Sequence, residues 1–421
     1  MKTKVLFITF ATFTAACSNH ESIELEYTIS DSQKNCVDYR SYEEALEIAE
    51  KSINMLNYTS GTTRSQSKKR IIDQSERIAY VNNNKTRSVS NTNDTLIYVF
   101  NFENNDGFAL VSASKNTEAL LAITDKGYCS PDEESEIQGF NTFIEAAKDY
   151  VYNASKAPIL RKPSDPIVDT KDSVIYAYQE VGPYISVNWG QSLPEGEFCP
   201  NGLAGCANTA LAQIISYYNY PTMINITYPN ADVSAQNLNW SALKTHATGH
   251  PRTSCDDQST HDAIGRLLRQ LGKYTNSSYD SNSTGTSLDN LEPALDSLGY
   301  SHGTLRLYKS IVARIALDGH HLIFMGGFAN QGGHGWALDG YNTVSATIYH
   351  MGRTITSGWF IMNTTHETKY YLHFNWGWYG DCNGYFLEGI YDTTQAYSYD
   401  NPTNVHNYNL NQNVQMVEIY H

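Results

Sequence analysis

The sequence predicts an α+β fold in which a small α+β domain precedes a larger domain with a helical lobe and an antiparallel sheet lobe. The chain has 421 residues, more than one domain usually needs. Helical periodicity dominates residues 206–317, and strand patterns dominate residues 322–420. Helices followed by strands within one domain are typical of α+β architectures. Tyrosine is abundant (31 residues) and only 17% of residues are charged, which favours short strands and polar loops over a helical bundle.

Residues 1–16 have the pattern of a bacterial export signal. A basic start precedes the apolar run Val5–Phe13, which is too short to span a bilayer. Small residues then precede Cys17, as in a lipoprotein signal, where Cys17 would carry the lipid and become the mature N-terminus. The alternative is a plain secretory signal with a coincidental cysteine. Both readings predict an exported protein: an outer-membrane-anchored lipoprotein, a cell-surface protein or a protein secreted after processing.

Residues 20–156 are predicted to form the small domain. Ser41 and Glu44 have capping-box spacing and predict the start of a helix. Residues 59–75 are polar and predict a solvated loop. Asp106-Gly107 separates two strand patterns and predicts a hairpin turn. The strand patterns are 96–102, 108–112 and 120–123, and a second helix is predicted at 139–152.

Residues 157–172 contain three prolines and several charges, a composition typical of an exposed linker where proteolytic nicking concentrates. We expect maturation cleavage in this linker and a second domain at 173–421. The predicted helices of that domain are 206–218, 259–273, 287–298 and 307–317. Its predicted strands are 322–325, 334–341, 345–351, 357–363, 370–376, 384–390 and 413–420.

Cys206 is the candidate nucleophile. Residues 206–218 have apolar positions at helical spacing, and Pro221 predicts that the helix ends near Asn219. The thiol therefore lies in the first turn of a buried helix, where unpaired backbone N–H groups and the helix dipole favour negative charge. Such an environment lowers a cysteine pKa and raises the fraction of thiolate, the nucleophilic form. The alternative is an inert buried thiol, since free cysteines are often buried.

His334 is the candidate base. It follows Cys206 by 128 residues and lies in GGHGWALDG, between two predicted strands. The flanking glycines leave its ring approachable, and a histidine beside a cysteine is an arrangement that serves nucleophilic catalysis.

Asn375 and Trp376 supply a candidate third group. The Asn375 side chain can accept the second ring N–H of His334, and the Trp376 indole can cover that bond from water, which would fix the tautomer and orient the ring. Asn375 could instead cap a strand turn. Asp339 is the weaker candidate for the third group, because Asp-Gly at a strand end more often forms a turn.

These motifs, in this order, resemble papain-like cysteine peptidases and, more closely, the streptopain family. The matching segments are VNWGQ at 187–191, GCANTALAQI at 205–214, GGHGWALDG at 332–340, NWGW at 375–378 and DCNGYF at 381–386. The resemblance implies a papain-like two-lobe fold with the cleft between the lobes, and peptide hydrolysis through a thioester. It also implies that Gln191 donates its side-chain amide to the oxyanion, together with the Cys206 backbone N–H, and that Gly333 contacts substrate. Ser283–Thr286 is a loose match to the family's Ser-Gly-rich substrate loop.

The N-terminal domain is similar to the inhibitory propeptide of streptopain-like enzymes. The similarity lies in the helix around EEALEIA and in the hairpin at 102–112. It implies a folded segment that blocks the nucleophile until the segment is cut away. An accessory binding module with the same fold is the alternative, because fold does not determine function.

Charge and cysteine pattern exclude several classes of protein. The net charge is −15, from 29 basic and 44 acidic residues, which argues against a nucleic-acid partner. No C-x-x-C motif occurs, and His320-His321 has no partner at ligand spacing, so no metal or organic cofactor is expected. Cys206 must stay free to react, whereas Cys199 could pair with Cys255 or with Cys382.

We therefore expect an exported cysteine endopeptidase that is made as a zymogen. Its partners would be protein or peptide substrates and its own propeptide as an intramolecular inhibitor, with membrane contact only through a lipid on Cys17. The alternatives are a catalytically inactive surface adhesin or peptide-binding module, and a transglutaminase-like acyl transferase in which an amine resolves the thioester.

Overall fold

The structure is a computed structural model that describes residues 39–59, 70–79, 95–131, 135–155, 169–246, 257–329, 332–353, 359–390 and 414–421. The expected signal segment, Cys17 and residues 157–168 of the expected linker lie outside the described residues. The described residues belong to one structural unit, Val37–His421. Among them, no helix is both long enough and apolar enough to cross a membrane.

The described residues form helices packed against one large antiparallel sheet. The helices are α1 (Tyr42–Thr59), α2 (Gln138–Ser155), α3 (Cys206–Tyr218), α4 (Trp240–His246), α5 (Gln258–Tyr274), α6 (Leu291–Leu298) and α7 (Ser310–Asp318). The first strands are β1 (Ile72–Ala79), β2 (Thr95–Phe102), β3 (Phe108–Ser112), β4 (Leu120–Thr124), β5 (Asp169–Val181), β6 (Met223–Asn225), β7 (Ala235–Asn237), β8 (Ser278–Tyr279) and β9 (Thr284–Gly285). The remaining strands are β10 (Ser301–His302), β11 (Arg306–Leu307), β12 (Leu322–Ala329), β13 (Gly332–Arg353), β14 (Phe360–Asn375), β15 (Gly384–Leu387) and β16 (Gln415–Tyr420).

The N-terminal domain follows the local signals of its sequence. The capping box is confirmed, since the Ser41 N–H donates to Glu44 Oε2 (2.7 Å) and the Glu44 N–H donates to Ser41 Oγ (3.2 Å). The hairpin between β2 and β3 is also confirmed. It turns at Gly107, whose φ is +100° and where a Cβ would lie 2.1 Å from the Thr124 carbonyl oxygen, so only glycine fits.

The expected loop at 59–75 is wrong at its C-terminal end, because β1 begins at Ile72. This strand lies at the end of the sheet, pairs only with β2 among the described strands, and carries mostly exposed polar side chains. Polar edge strands lack the apolar alternation by which strands are recognised in a sequence.

The sheet of the N-terminal domain continues into the sheet of the larger domain. Its strand order is β1-β2-β3-β4-β15-β14-β13-β12-β16-β10, with β5 on β13 and β11 on β16. The junction is the antiparallel pairing of β4 with β15, in which Ile123 lies opposite Tyr385. The N-terminal domain is thereby joined to the larger domain through main-chain hydrogen bonds.

The larger domain has the expected α+β arrangement of a helical lobe and an antiparallel sheet lobe. Helices α3, α5 and α6 pack through fully buried leucines and isoleucines, including Leu211, Ile215, Leu267 and Leu295. The sheet lobe contains β12 to β16. Helix α4 was not expected, since at 7 residues it is too short for a periodicity signal.

Several strand boundaries differ from the sequence prediction. The strands expected at 334–341 and 345–351 are one strand, β13, because Asp339-Gly340 forms a bulge rather than a turn. The strands expected at 357–363 and 370–376 likewise overlap a single strand, β14. Strand β5 begins at Asp169, so residues 169–172 of the expected linker pair with β13.

Candidate active site

Cys206 is the first residue of α3, as the sequence predicts. The preceding residue, Gly205, has a φ of 88°, and its carbonyl accepts the Thr209 N–H (3.0 Å) as the helix begins. The Thr209 hydroxyl also donates to the Gly190 carbonyl (3.2 Å), which ties the start of the helix to segment 187–191. The Cys206 sulfur in turn accepts the Gly335 N–H at 3.4 Å.

The pKa of Cys206 lies below its ordinary value. Burial of the thiol would raise this pKa, but the charge of His334 and a hydrogen bond from His334 to the sulfur outweigh burial. The backbone N–H groups of Gly335 and Ala207 lower the pKa further. The structure therefore brings Cys206 and His334 into direct contact and favours the thiolate.

The pKa values of the other described cysteines lie above the ordinary value. Burial raises the pKa of Cys199 to about 11 and that of Cys129 to about 12, and it also raises the pKa of Cys382. All four described cysteines are free, so Cys199 does not pair with Cys382; Cys255 lies outside the described residues. Among the described cysteines, Cys206 alone has an environment that activates a thiol.

His334 lies at the start of β13, where this strand passes the first turn of α3. The next residue, Gly335, is required by this close approach, because a Cβ there would lie 2.6 Å from the Phe324 ring and 3.1 Å from Ala207 Cα. The small residue brings the Gly335 N–H and the imidazole ring to the sulfur together.

The partner of the second ring nitrogen is a main-chain carbonyl. His334 Nε2 lies 3.1 Å from the Trp376 carbonyl oxygen, and the side chain is buried. A carbonyl oxygen can only accept, so Nε2 carries the proton and Nδ1 is left to face Cys206. This is the tautomer that a cysteine–histidine pair needs.

The expected direct bond between Asn375 and His334 is not made. The Asn375 amide donates to the Val187 carbonyl (3.0 Å), and its oxygen accepts the Gly377 N–H (3.2 Å). That N–H belongs to the same peptide group as the Trp376 carbonyl. Asn375 therefore acts on the His334 acceptor through one peptide plane rather than by touching the ring.

Trp376 covers this part of the site. Its indole is fully buried, with its ring centre 6.4 Å from that of His334, and the indole N–H donates to the Cys382 carbonyl (2.9 Å). The sequence predicted that the Trp376 indole would shield the second ring nitrogen of His334 from water. It did not predict that the Trp376 carbonyl would accept the hydrogen bond from that nitrogen.

Gln191 lies beside the start of α3. Its carbonyl accepts the Ala204 N–H at 2.7 Å, two residues before Cys206, and its side chain is half-buried. The segment is supported by Glu195, whose carboxylate accepts the Gly190 N–H (3.3 Å). Burial raises the pKa of Glu195 to about 8. Glu195 was missed because a single glutamate in a loop carries no sequence signal of burial.

A cavity of about 180 Å³ opens at the sulfur. It is lined by Cys206, His334 and Gly333, and across from them by Thr284, Gly285 and neighbouring residues. Gly333 and residues 284–286, part of the segment that loosely matches the family's substrate loop, line this cavity. Among the described residues, no cluster of His, Cys, Asp or Glu could hold a metal ion.

Asp339 has a structural position away from His334. It is fully buried, accepts the Ile185 N–H at 2.9 Å and lies 2.6 Å from His373 Nδ1. Burial alone would lower the pKa of His373, but Asp339 and the nearby Asp125 outweigh it and raise this pKa to about 10. The lower rank given to Asp339 as third group agrees with this placement.

The N-terminal domain packs directly on the site. A Cβ at Gly139, in the first turn of α2, would lie 2.5 Å from the His334 ring and 2.6 Å from the Trp376 ring. Further along α2, Phe143 packs edge-on against Phe386 with ring centres 4.8 Å apart. Helix α2 therefore covers the histidine side of the site.

A free cysteine at a helix start, activated by a histidine between two lobes and covered by an N-terminal domain, defines a cysteine peptidase with an inhibitory prosegment. Comparison with known proteins gives the family: residues 188–386 match the model described as the Peptidase C10 family, and residues 35–151 match the model described as Spi protease inhibitor. The chain thus carries a cysteine peptidase domain of the C10, or streptopain, family behind a Spi-type inhibitor domain.

Two relatives illustrate the similarity. The chain is 23% identical to streptopain of Streptococcus pyogenes over 328 residues, covering 69% of this chain and 73% of streptopain. It is 24% identical to the thiol protease/hemagglutinin PrtT of Porphyromonas gingivalis over 332 residues, covering 70% of this chain but 34% of PrtT.

Solved structures of two forms of a Prevotella intermedia protease also match. A prointerpain A fragment has 20% identity and a TM-score of 0.49, covering 79% of this chain and 96% of the fragment. Active interpain A has 20% identity and a TM-score of 0.36, covering 56% of this chain and 94% of that chain.

Proposed function

We propose that this chain is the precursor of an exported cysteine endopeptidase in which Cys206 is the nucleophile and His334 the acid–base. The contact of the Cys206 sulfur with His334, at the start of α3, is the observation that carries the proposal. Burial raises the pKa of every other described cysteine, which leaves them as unreactive thiols at neutral pH.

The reaction is hydrolysis of a peptide bond through a thioester. The Cys206 thiolate attacks the carbonyl carbon, and His334 Nδ1 gives its proton to the leaving amine as the C–N bond breaks. His334 then takes a proton from water, which attacks the thioester and releases the acid and the thiolate. The hydrogen bond from Nε2 to the Trp376 carbonyl keeps the ring in one tautomer through both steps.

The oxyanion is stabilised by the Cys206 backbone N–H and the Gln191 side chain. The segment that carries Gln191 is bonded to α3 through Thr209 and to the chain just before α3 through Ala204, so both donors share one rigid support. Removal of one such donor typically lowers turnover about 10²–10³-fold.

Maturation requires removal of the inhibitor domain. We place the cleavage between α2, which ends at Ser155, and β5, which begins at Asp169. The three prolines of the expected linker, together with Arg161 and Lys162, fall in this interval. Residues 169–172 pair with β13, and a peptidase cleaves extended chain more readily outside a sheet.

Export follows from the N-terminal signal pattern, and a lipid on Cys17 would hold the enzyme at the outer membrane or cell surface. A thiol peptidase that acts outside the cell needs an inhibitor domain during synthesis. The match of residues 35–151 to the Spi protease inhibitor model supports the proposal that the enzyme is made with its own inhibitor.

The test is a Cys206→Ser variant compared with wild type, for self-processing and for hydrolysis of denatured casein. We expect wild type to shorten at neutral pH under reducing conditions and to hydrolyse casein, and the variant to do neither. If the wild-type chain hydrolyses casein at its full rate before any cleavage, the proposal that it is made as a zymogen is contradicted. Transfer of the acyl group to an added amine in preference to water would identify an acyl transferase, and an unreactive Cys206 in wild type would identify a binding module.

A further inference from the structure

We propose that Asn383 is a positioning residue for His334, because its side chain fixes the Trp376 peptide whose carbonyl orients the imidazole ring. The inference rests on the proposed function, in which His334 is the acid–base. It concerns a residue that makes no contact with the ring itself.

The His334 acceptor lies outside the regular sheet. Strand β14 ends at Asn375, so the Trp376 carbonyl is not held by the ladder of main-chain hydrogen bonds. The chain then turns at Gly377, which has a φ of 71°. The direction of the carbonyl must therefore be set by other contacts.

Two asparagine side chains supply those contacts. Asn383 Oδ1 accepts the Trp376 N–H at 2.9 Å, and Asn375 Oδ1 accepts the Gly377 N–H at 3.2 Å. The first N–H belongs to the peptide group before Trp376 Cα, and the second belongs to the group that contains the carbonyl. With both peptide planes held, the φ and ψ angles of Trp376 are fixed, and the carbonyl points at His334.

Asn383 is itself held rigidly. Its side chain is buried, its amide donates to Asn188 Oδ1 at 3.2 Å, and its own N–H donates to the Gly380 carbonyl at 3.2 Å. Asn188 lies three residues before Gln191. One side chain thus links the segment that carries the oxyanion donor to the acceptor that orients His334.

The contacts that matter lie within the peptidase domain. The main-chain carbonyl of Asn383 accepts the Asp125 N–H of the inhibitor domain (2.9 Å), and this bond is lost when that domain leaves. The side-chain bonds to Trp376 and Asn188 remain. The positioning role therefore applies to the mature enzyme.

The test compares Asn383→Ala with wild type as full-length chains, each cut in the linker by brief trypsin treatment that is then quenched. Because a shift of about 1 Å in a reacting group can cost 10²-fold in rate, we expect kcat to fall roughly 10–100-fold with KM little changed. A displaced His334 stabilises the thiolate less. The acid limb of the pH profile for Cys206 alkylation should therefore move to higher pH.

Two further variants separate positioning from folding. Asn383→Asp keeps the oxygen that accepts the Trp376 N–H and loses the donor to Asn188, so it should recover part of the lost kcat. Asn342→Ala removes another buried amide, one whose side chain has no hydrogen-bond partner among the described residues. It should leave kcat and the pH profile unchanged.

An Asn383→Ala enzyme with the kcat and pH profile of wild type would overturn the proposal. If this variant does not fold, Asn188→Ala is tested in its place, because it removes the acceptor that anchors the Asn383 amide; a wild-type kcat and pH profile in Asn188→Ala would then overturn the proposal. Absence of turnover in wild type itself would instead contradict the proposed function.

Discussion

At the scale of single residues, local surroundings separate side chains of the same type. Cys206 and Cys199 lie seven residues apart, yet burial raises the pKa of Cys199 to about 11, whereas His334 more than offsets the effect of burial on Cys206. The difference comes from one charged neighbour and two backbone N–H groups, that of Ala207 in the first turn of α3 and that of Gly335 in β13. The reactivity of Cys206 therefore depends on the groups that surround its thiol, because the same side chain at position 199 is not activated.

Glu195 gives a prediction about pH and stability at this scale. Its pKa of about 8 in the folded protein lies above the ordinary value of 4.5, because the carboxyl is buried. The unfolded chain therefore releases this proton at lower pH than the folded protein does. The cost of the buried carboxyl to stability is absent below about pH 4, grows from pH 4.5 to 8 and is constant above.

We expect Glu195→Gln to raise the free energy of unfolding by roughly 2–4 kcal/mol at pH 9 and to change it little at pH 4. Urea unfolding in the Cys206→Ser background, which prevents self-digestion, measures this. Glu197→Gln, at a neighbouring exposed carboxyl, is the matched control and should give no comparable gain in the free energy of unfolding at pH 9. An equal effect of Glu195→Gln at pH 4 and pH 9 would show that folding does not raise the pKa of Glu195.

At the scale of elements, inhibition depends on how closely α2 approaches the site. The helix begins with Gln138-Gly139, and the missing side chain of Gly139 lets its first turn lie on the His334 and Trp376 rings. Both rings are buried and cannot move aside cheaply.

We expect Gly139→Leu to push the first turn of α2 away from the site and to weaken autoinhibition. The unprocessed chain should then react with iodoacetamide at Cys206 several-fold faster than wild type. Glu145→Ala, on the exposed side of the same helix, is the control and should react at the wild-type rate. Equal rates in both variants would mean that α2 does not limit access to the sulfur.

At the scale of the whole molecule, the inhibitor and peptidase domains share one sheet. Strand β4 pairs with β15, and β15 pairs with β14 on its other side. The residue before β15 is Asn383, whose carbonyl accepts a hydrogen bond from the end of the inhibitor strand at Asp125. Release of the inhibitor domain therefore uncovers a strand edge next to the active site.

Hydrogen exchange should report this release. In unprocessed Cys206→Ser protein, peptides covering Gly384–Leu387 should be protected, and in processed wild type the amides that bonded to β4 should exchange faster. Peptides covering 334–341 are the internal control, because β13 pairs there with β12 up to Leu338 and with β14 from Ala337 onward, and both of these strands remain. Unchanged protection of β15 after processing would show that the cleaved inhibitor domain stays on the sheet.

The sequence alone determined the features that depend on neighbouring residues. Helix periodicity with the stop at Pro221 placed Cys206 at the head of α3, and the glycines around His334 marked an approachable ring. The Ser41–Glu44 capping box and the turn at Gly107 were predicted for the same reason. Each is a local pattern, and local physics suffices to form it.

The tertiary structure decided which groups meet across the chain. Every residue has a carbonyl, so nothing in the sequence could select that of Trp376 as the His334 acceptor in place of the Asn375 side chain. Asp339, expected in a turn, is buried in a bulge against His373 because strand β13 continues past it. The shared sheet of the two domains and the role inferred for Asn383 likewise depend on pairing between distant segments, which periodicity and spacing do not encode.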